Sequence, residues 1–523
     1  MQNSFLVLLP PFLVLLLAIL TKEVTVSLVA GIITASFLAA DFSIYSTIFI
    51  LTKTIYATLA DMQNIYTFGF LTMLGTLTIL MNKMGGITAY TKSIEKYITN
   101  KKSAQVTSLL FSNFFFIDDY LNSLTVGNIM RPLTDKFHIP RAKLAYLLDA
   151  MSGSLCLLIP ASSWLTVILT QLEKSGVSLL ASDNPKIMAD PFGLYLSTIP
   201  YIFYPIFSIF TAWFIVLTAQ SYGPMRQHET AALNGNLFGG KQPVHAESSQ
   251  NDTGSLWYFI IPLASFILFI VFGIAWTGNS FLCGGNNSLI KTIQESRIIF
   301  VLFYASSLTV LLSSIFFITQ KKLTPGTAVN NLIQGALSMR TSIAILVCAW
   351  ILATLLKDNL KTGQYLADIL LGSLSMSLLP LMFFLTAILI SASTGSSWGT
   401  INIMLPIAIP MLYEFTHGVG IVAPTDIPLL LPSLGALFSG SLAGTHLSPI
   451  SDTTTTSSTG AACYHMDHIK TQFWYALPTI LGSLIAYTVL GFFVSQTYIL
   501  PLCLLLGIGI IIFFVHSAGQ RKK

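Results

Sequence analysis

The sequence predicts an all-α polytopic membrane protein, with roughly 10–13 transmembrane helices in two inverted repeats that carry re-entrant hairpins. Two observations predict the class and a third predicts the hairpins. Hydrophobic residues fill 54% of the 523 positions and charged residues only 9%, whereas about a quarter of a soluble domain is charged. Apolar stretches near the roughly 20 residues that cross a bilayer recur along most of the chain. Inside several of them carboxylates sit beside helix-breaking residues, which a membrane tolerates only where the backbone lines a protein-enclosed site.

Taken in order, apolar spans run at about 4–20, 24–40, 44–60, 64–82, 104–130, 142–172 and 191–219. They resume at about 256–277, 296–319, 341–357, 377–412, 427–460, 472–494 and 498–515. The stretch from Met1 to Leu20 has no basic residue ahead of its apolar run and no small-residue cleavage site, so it reads as a retained first helix and not a signal peptide. Gln220 to Ser255, rich in Gly, Asn, Gln, Ser and His, is expected to be a flexible linker. It separates an N-terminal membrane half, 1–219, with a hairpin at about 104–130, from a C-terminal half, 256–523, with a hairpin at about 427–468.

The linker contains G-x-x-x-x-G-K from Gly235 to Lys241, followed by Gln242. A phosphate loop needs Ser or Thr at that place for magnesium, and a strand before it. No ATP engine is visible, so transport by such a chain would run on ion gradients. The 26 Lys and Arg exceed the 21 Asp and Glu but lie mostly in loops, where they report orientation in membrane lipid and no nucleic-acid partner. Cys156, Cys283, Cys348, Cys463 and Cys503 are scattered without a C-x-x-C pair, which argues against a disulfide framework.

The halves echo one another. His138-Ile139-Pro140-Arg141-Ala142-Lys143 resembles His465-Met466-Asp467-His468-Ile469-Lys470, and each follows a polar segment, with Asp118 and Asp119 in the first and Asp452 in the second. Paired interrupted segments point to the binding site of repeat-built transporters.

A mid-membrane charge costs about 2.5–3.5 kcal/mol on insertion scales and needs a reason. Asp118 and Asp119 follow four apolar residues and precede Asn122 and Ser123. On a continuous helix neighbours point about 100° apart, so a broken segment is needed for both to face one site. Lys101 and Lys102 lie before it, and Arg131, Lys136, Arg141 and Lys143 after it. Basic flanks belong in the cytoplasm, so the segment would enter and return. In the second half, Gly440 to Asp452 holds three helix breakers (Gly440, Gly444 and Pro449), His446, Ser448 and Ser451, then a hydroxyl run from Thr453 to Thr459. Hard cations prefer such oxygen ligands.

Asp149, followed by Ser152, Gly153 and Ser154, is a third buried carboxylate. Thr394 to Thr400 is another break and fits G-x-S-x-G around Ser397. Both flanks read as membrane helix and no strand-to-helix elbow is present, so no catalytic residue is expected. His465, Asp467 and His468 lack an H-E-x-x-H partner and read as a solvated loop.

At these motifs the chain resembles the NhaC-type sodium/proton antiporter family. The strings that carry the resemblance are Asp118-Asp119-Tyr120 with Asn122, Val126-Gly127, Met130-Arg131-Pro132-Leu133-Thr134-Asp135 and Lys143-Leu144-Ala145-Tyr146 with Asp149. They continue at Gly395, Ser397-Trp398-Gly399-Thr400, Ser448-Pro449-Ile450-Ser451-Asp452-Thr453-Thr454, Ser457-Ser458-Thr459-Gly460 and Asp467-His468-Ile469-Lys470-Thr471-Gln472. The resemblance implies a multi-pass exchanger of the bacterial cytoplasmic membrane with inverted repeats and paired central hairpins. It also covers exchangers of organic acids or amino acids. Gly444-Thr445-His446 stands where the family usually has Gly-Asp, and Ala150-Met151-Ser152-Gly153 replaces a Ser-Thr-Ala-Ala string.

The expected ion- and proton-binding residues are Asp118, Asp119, Asn122, Asp149, His446, Ser448, Ser451, Asp452 and Thr453, with Asp119 and Asp452 as sodium carboxylates. Gly395, Ser397, Thr400 and Arg131 are the helix-break and solute-contact candidates. No cofactor is expected, since sodium ions and protons are cargo; a homodimer is compatible with this reading. The expected mechanism is competition of sodium and protons for Asp118, Asp119 and Asp452 under alternating access. Its rivals are sodium- or proton-coupled exchange of a small organic acid or amino acid, an intramembrane hydrolase on Ser397, and a passive channel. One conflict stands: an inverted second half puts Lys470 and the Arg521-Lys522-Lys523 tail outside, against the positive-inside rule.

Overall fold

The computed structural model describes residues 5–21, 24–86, 89, 98–116, 118–179, 185–242, 254–287, 292, 296–362, 365, 375–415, 420–449 and 451–520. The chain begins with α1 (Leu9–Thr21), α2 (Val24–Ala39), α3 (Ile44–Ala60) and α4 (Met62–Lys83). There follow α5 (Lys101–Phe114), α6 (Asp119–Lys136), α7 (Arg141–Leu158), α8 (Ser163–Ser175), α9 (Pro191–Thr198) and α10 (Phe203–Thr218). After α11 (Pro224–Leu233) come α12 (Trp257–Thr277), α13 (Ile298–Thr319), α14 (Pro325–Ser338) and α15 (Arg340–Thr354). The chain closes with α16 (Leu379–Thr394), α17 (Ser397–Glu414), α18 (Leu430–Leu447), α19 (Asp452–Ala461), α20 (His465–Phe492) and α21 (Ile499–Gln520).

Among the described residues five helices are long and apolar enough to cross a membrane, within α4, α12, α13, α20 and α21. Two pairs bent at a short break, α7 with α8 by 46° and the α9 region with α10 by 49°, raise this to seven. Shorter apolar helices, such as Thr25–Ala39 and Ile44–Ala60, add to them. The protein is a multi-pass helical membrane protein.

Local chemistry sets the ends of the helices that matter. Asn100 and Ser103 form a reciprocal capping box that starts α5. Gly176 (φ 109°) stops α8 and Gly395 (φ 71°) stops α16, in a left-handed conformation that costs glycine nothing.

Two ends of the molecule can be told apart. At the basic end, Lys101 and Lys143 each approach Glu229 to 2.5 Å, Lys102 donates to the Leu217 carbonyl at 2.8 Å, and Arg141 donates to the Ala461 carbonyl at 2.8 Å. At the far end, β1 (Val177–Ser178) pairs in parallel with β2 (Ile187–Met188), and Ile187 bridges to Val422.

These contacts fix the path of the broken helices. The start of α5 and the junction of α6 with α7 both lie at the basic end, so α5–α6 is a hairpin, and Phe115 and Asp118 at its tip are buried. The start of α16 lies beside the end of α20, where a Cβ on Gly491 would come within 1.8 Å of the Ser377 carbonyl. The end of α17 lies beside Lys186, 3.9 Å from Glu414. Hence α16–α17 is a hairpin that opens to the far end. The pair α7–α8 crosses from Arg141 to Val177. The pair α18–α19 crosses the other way, from Tyr201, which packs on Gly435, to Arg141.

The segment 427–468, expected to turn back, therefore runs from end to end, and α16–α17 makes the second return. Pro449 ends α18, but Ser451 accepts the Thr454 N–H at 3.4 Å and restarts the helix. Because α19 ends at the basic end, Lys470 lies there too. Gly519, at the end of α21, packs on Gln220 of the same end. For Lys470 the conflict with the positive-inside rule is removed; residues 521–523 lie outside the described residues.

The linker is not wholly flexible: from Gln220 to Gln242 it forms a strap across the basic end. Lys241 pairs with Asp467 at 2.6 Å, Tyr464 donates to the Gln242 carbonyl at 3.2 Å, and Glu229 serves both Lys101 and Lys143. Burial opposes ionisation of Glu229, but Lys143 and Lys101 outweigh it and hold the carboxyl below its ordinary value. A lowered folded value means that this stabilisation is complete above the ordinary pKa and is lost as pH falls through the lowered one. We expect Glu229→Gln to loosen the strap by about 1–3 kcal/mol, less than a fully buried pair because Lys101 is partly exposed. Faster hydrogen exchange over 224–233 at neutral pH, with a smaller difference from wild type in acid, checks it.

Candidate functional site

The tip of the first hairpin is built by an ending and a restart. Phe115 N–H bonds the Ser112 carbonyl at 3.2 Å and closes α5; the Asp118 carbonyl then accepts the Asn122 N–H at 2.9 Å and opens α6. Asp118 is thus a cap and Asp119 the first helical residue, and their side chains are 3% and 1% exposed. The helix dipole favours negative charge at this position. Asp118 Oδ2 accepts from Ser163 Oγ at 3.1 Å. Asp119 Oδ1 is buried without a hydrogen-bond partner among the described residues. Asn122 Nδ2 ties the two arms by donating to the Ser112 carbonyl at 2.8 Å, and its Oδ1 is left over.

The break between α7 and α8 supports this tip. Ser162 Oγ donates to the Cys156 carbonyl at 2.5 Å, and Cys156 Sγ lies 3.1 Å from the Phe116 carbonyl. Trp164, at the start of α8, meets Trp398 edge to face at 6.2 Å between centroids, which brings in the second hairpin.

At the second tip Gly395 supplies the turn, and Ser396 accepts the Gly399 N–H at 3.0 Å. Ser397 Oγ donates to the Ser441 carbonyl at 2.9 Å and lies 3.1 Å from Thr445 Oγ1. Its neighbours are thus a carbonyl and a hydroxyl. Thr400 spends its hydroxyl on the Ser396 carbonyl of its own helix at 2.8 Å. Thr445, where the resembled family carries a carboxylate, offers only a hydroxyl to this contact.

The break in α18–α19 lies alongside. Ser448, Ser451 and Thr453 are buried; the Ser451 and Thr453 hydroxyls are 2.9 Å apart. Asp452 opens α19, but its side chain lies outside the described residues. Arg131 is not brought to either tip. It lies twelve residues beyond Asp119 on α6, about 18 Å along the axis at 1.5 Å per residue.

Asp149, fully buried in α7, gathers side chains from three other helices. Its Oδ2 accepts from Gln472 Nε2 at 2.6 Å and Thr454 Oγ1 at 3.0 Å, and His468 Nε2 lies 3.3 Å away. Its Oδ1 faces His446 Nε2 at 4.0 Å, and His446 Nδ1 lies 2.8 Å from the Tyr204 hydroxyl. His468 is completely buried, not in a solvated loop, because the face of α20 that carries it and Gln472 docks against Asp149 of α7. His465 bonds the Pro449 carbonyl at 2.7 Å, and Asp467 pairs with Lys241. Among the described residues no group of three or more His, Cys, Asp or Glu could hold a metal ion.

A row of buried hydroxyls lies between α6, α7 and α19. Ser457 Oγ donates to Ser123 Oγ at 3.0 Å, Ser123 to Ser152 at 3.1 Å, and Ser152 reaches the Asp149 carbonyl at 3.5 Å. Sequence reading missed Ser163, Thr454, His468 and Gln472 as site residues. Available signals were the Ser-Ser-Trp string, present at both 162–164 and 396–398, and the spacing of His468 and Gln472 one helical turn apart.

Comparison with known proteins agrees with this architecture. The profile of the Na+/H+ antiporter family matches residues 155–492. An uncharacterized protein of Haemophilus influenzae is 34% identical over 489 residues, 92% of this chain and 90% of its own. The malate-2H(+)/Na(+)-lactate antiporter of Bacillus subtilis is 31% identical over 120 residues, 22% of this chain and 23% of its own. In fold the chain is similar to MtrF of Neisseria gonorrhoeae, described as illuminating a class of antimetabolite efflux pumps, with a TM-score of 0.54 and 16% identity over 87% of this chain and 85% of that one. Since the profile covers well over half of the 523 residues, the chain belongs to the Na+/H+ antiporter family.

Proposed function

We propose that the protein exchanges sodium ions for protons across the bacterial cytoplasmic membrane by alternating access. One observation carries this: Asp118 and Asp119 are buried together at the tip of a hairpin that opens to the basic end, against the start of α8, where Ser163 bonds Asp118 and Trp164 meets Trp398 at the tip of a hairpin that opens to the far end. Two adjacent buried carboxylates need a cation or a proton to neutralise them. The oxygens grouped there (both Asp, Asn122 Oδ1 and Ser163 Oγ) suit a hard cation.

An inverted repeat fits the packing. The hairpin α5–α6 with the crossing α7–α8 corresponds to α16–α17 with α18–α19, and α6 lies against α19 as α17 lies against α8. The basic end then faces the cytoplasm. A second reading keeps the fold and carries a small carboxylate, as the name of the Bacillus relative suggests; the N-termini of α8 and α17 would hold its anionic group.

Proton release from everted vesicles on addition of sodium, lithium or potassium tests both. Release is expected with sodium and not with potassium. No response to any cation, with restored sodium movement once malate, lactate or an amino acid is supplied, would replace the first reading with the second.

A further inference from the structure

Resting on the sodium/proton reading, we propose that Asp149, set between His446 and His468, is the proton-carrying site, distinct from the hairpin-tip carboxylates that hold sodium. The two places are separate along α7. Cys156, which touches the tip through the Phe116 carbonyl, is seven residues from Asp149, about 10 Å of helix.

Their donor sets differ in kind. The tip offers oxygens, whereas Asp149 is faced by two imidazoles and an amide N–H, nitrogen groups that a sodium ion does not seek, beside a Thr454 hydroxyl that spends its proton on the carboxylate. The cluster is also incompletely bonded. Asp149 Oδ1, His446 Nε2, His468 Nδ1 and Gln472 Oε1 are all buried without a hydrogen-bond partner among the described residues. Oδ1 and His446 Nε2 face each other at 4.0 Å, too far for a direct bond. A proton arriving on Oδ1 neutralises the carboxylate, and the same proton leaves to water on the other side.

The surroundings leave Asp149 as the acid of this cluster. On α7 itself the nearest titratable neighbour is Tyr146, which packs on Tyr475 of α20. From α10 comes Tyr204, held by His446; from α18, His446; from α20, His468, with Asp467 taken up by Lys241. From α19 comes the neutral Thr454; of the charged groups of α5 and α6, Lys101, Lys102 and Asp135 are held at the basic end by Glu229, the Leu217 carbonyl and Arg141, Arg131 and Lys136 lie on the stretch of α6 that leads to that end, and Asp118 and Asp119 are at the tip. The row Ser457–Ser123–Ser152 lies between the sites: Ser123 is one turn beyond Asp119, and Ser152 reaches the Asp149 carbonyl.

The test uses the full chain reconstituted in liposomes, with sodium-driven proton movement and radiosodium counterflow measured on the same preparation. Asp149→Asn is expected to lose proton movement while counterflow persists. His468→Gln is expected to keep exchange and shift its half-maximal pH by about one unit, the equivalent of one hydrogen bond to a carboxylate. Asp149→Asn that still moves protons with sodium, or that loses counterflow together with exchange, overturns the proposal. So does a wild-type pH profile in His468→Gln. A wild-type protein that shows no sodium-driven proton movement would instead sink the sodium/proton reading itself.

Discussion

Asp119→Asn is expected to abolish sodium-driven proton release from everted vesicles. Asp119 is 1% exposed, its Oδ1 has no partner within the described protein, and it stands at the N-terminus of α6, where its charge is favoured. Asparagine preserves the shape and removes the charge that a cation would meet. Removing one partner of a buried ion pair costs about 3–5 kcal/mol, equivalent to about a hundredfold or more in affinity. Sodium activation should therefore move out of the measurable range with protein yield unchanged. Full exchange by the variant would remove the hairpin tip from the mechanism.

Gly444→Val is expected to be the most damaging single change to stability. Gly440 and Gly444 lie four apart on α18 and face the backbone of α16. A Cβ at Gly444 would come within 2.5 Å of the Ile388 carbonyl oxygen and 2.7 Å of the Ala392 nitrogen, and one at Gly440 within 2.4 Å of the Phe384 carbonyl oxygen. Small residues at this spacing let membrane helices approach closely. The obstacle is backbone, so the helices must separate, at more than about 3 kcal/mol, the upper end of ordinary overpacking. Loss of monodisperse protein in detergent, or a thermal midpoint well below wild type, checks this. Gly326→Ala, where an added Cβ meets nothing within 4 Å, is the control and should behave as wild type.

Composition alone carried the class, because a charge content of 9% cannot dress a soluble surface. The first hairpin was legible because two adjacent Asp cannot share a side of one helix and because basic residues stand on both flanks. The second was misplaced. Gly444, Pro449 and the hydroxyl run advertise a break as plainly as any turn, but a break does not say whether the chain returns or goes on; that is decided by which end the next helix docks against. The packing of Ala461 on Arg141 decided it here, across 320 residues of chain. His468 was misread for a related reason: next to Asp467 and Lys470 it looks solvated, and only the docking of α20 against α7 buries it. The interruption at Ile159 to Ser162 was passed over because 142–172 is apolar enough to read as one span, although Pro160 was there to be weighed.

The shared carboxylate of the strap has a mechanical consequence. Glu229 fastens the outer end of α5 to the start of α7 through one side chain, so charge as well as packing holds the chain together at the mouth of the first hairpin. Charge is screened by salt, and more so at Lys101, whose side chain is 33% exposed, than at Lys143, at 3%. Under the proposed exchange, the outer fastening yields first as ionic strength rises, and the ease of opening at the basic end becomes a function of the salt around the protein as well as of the ion it carries.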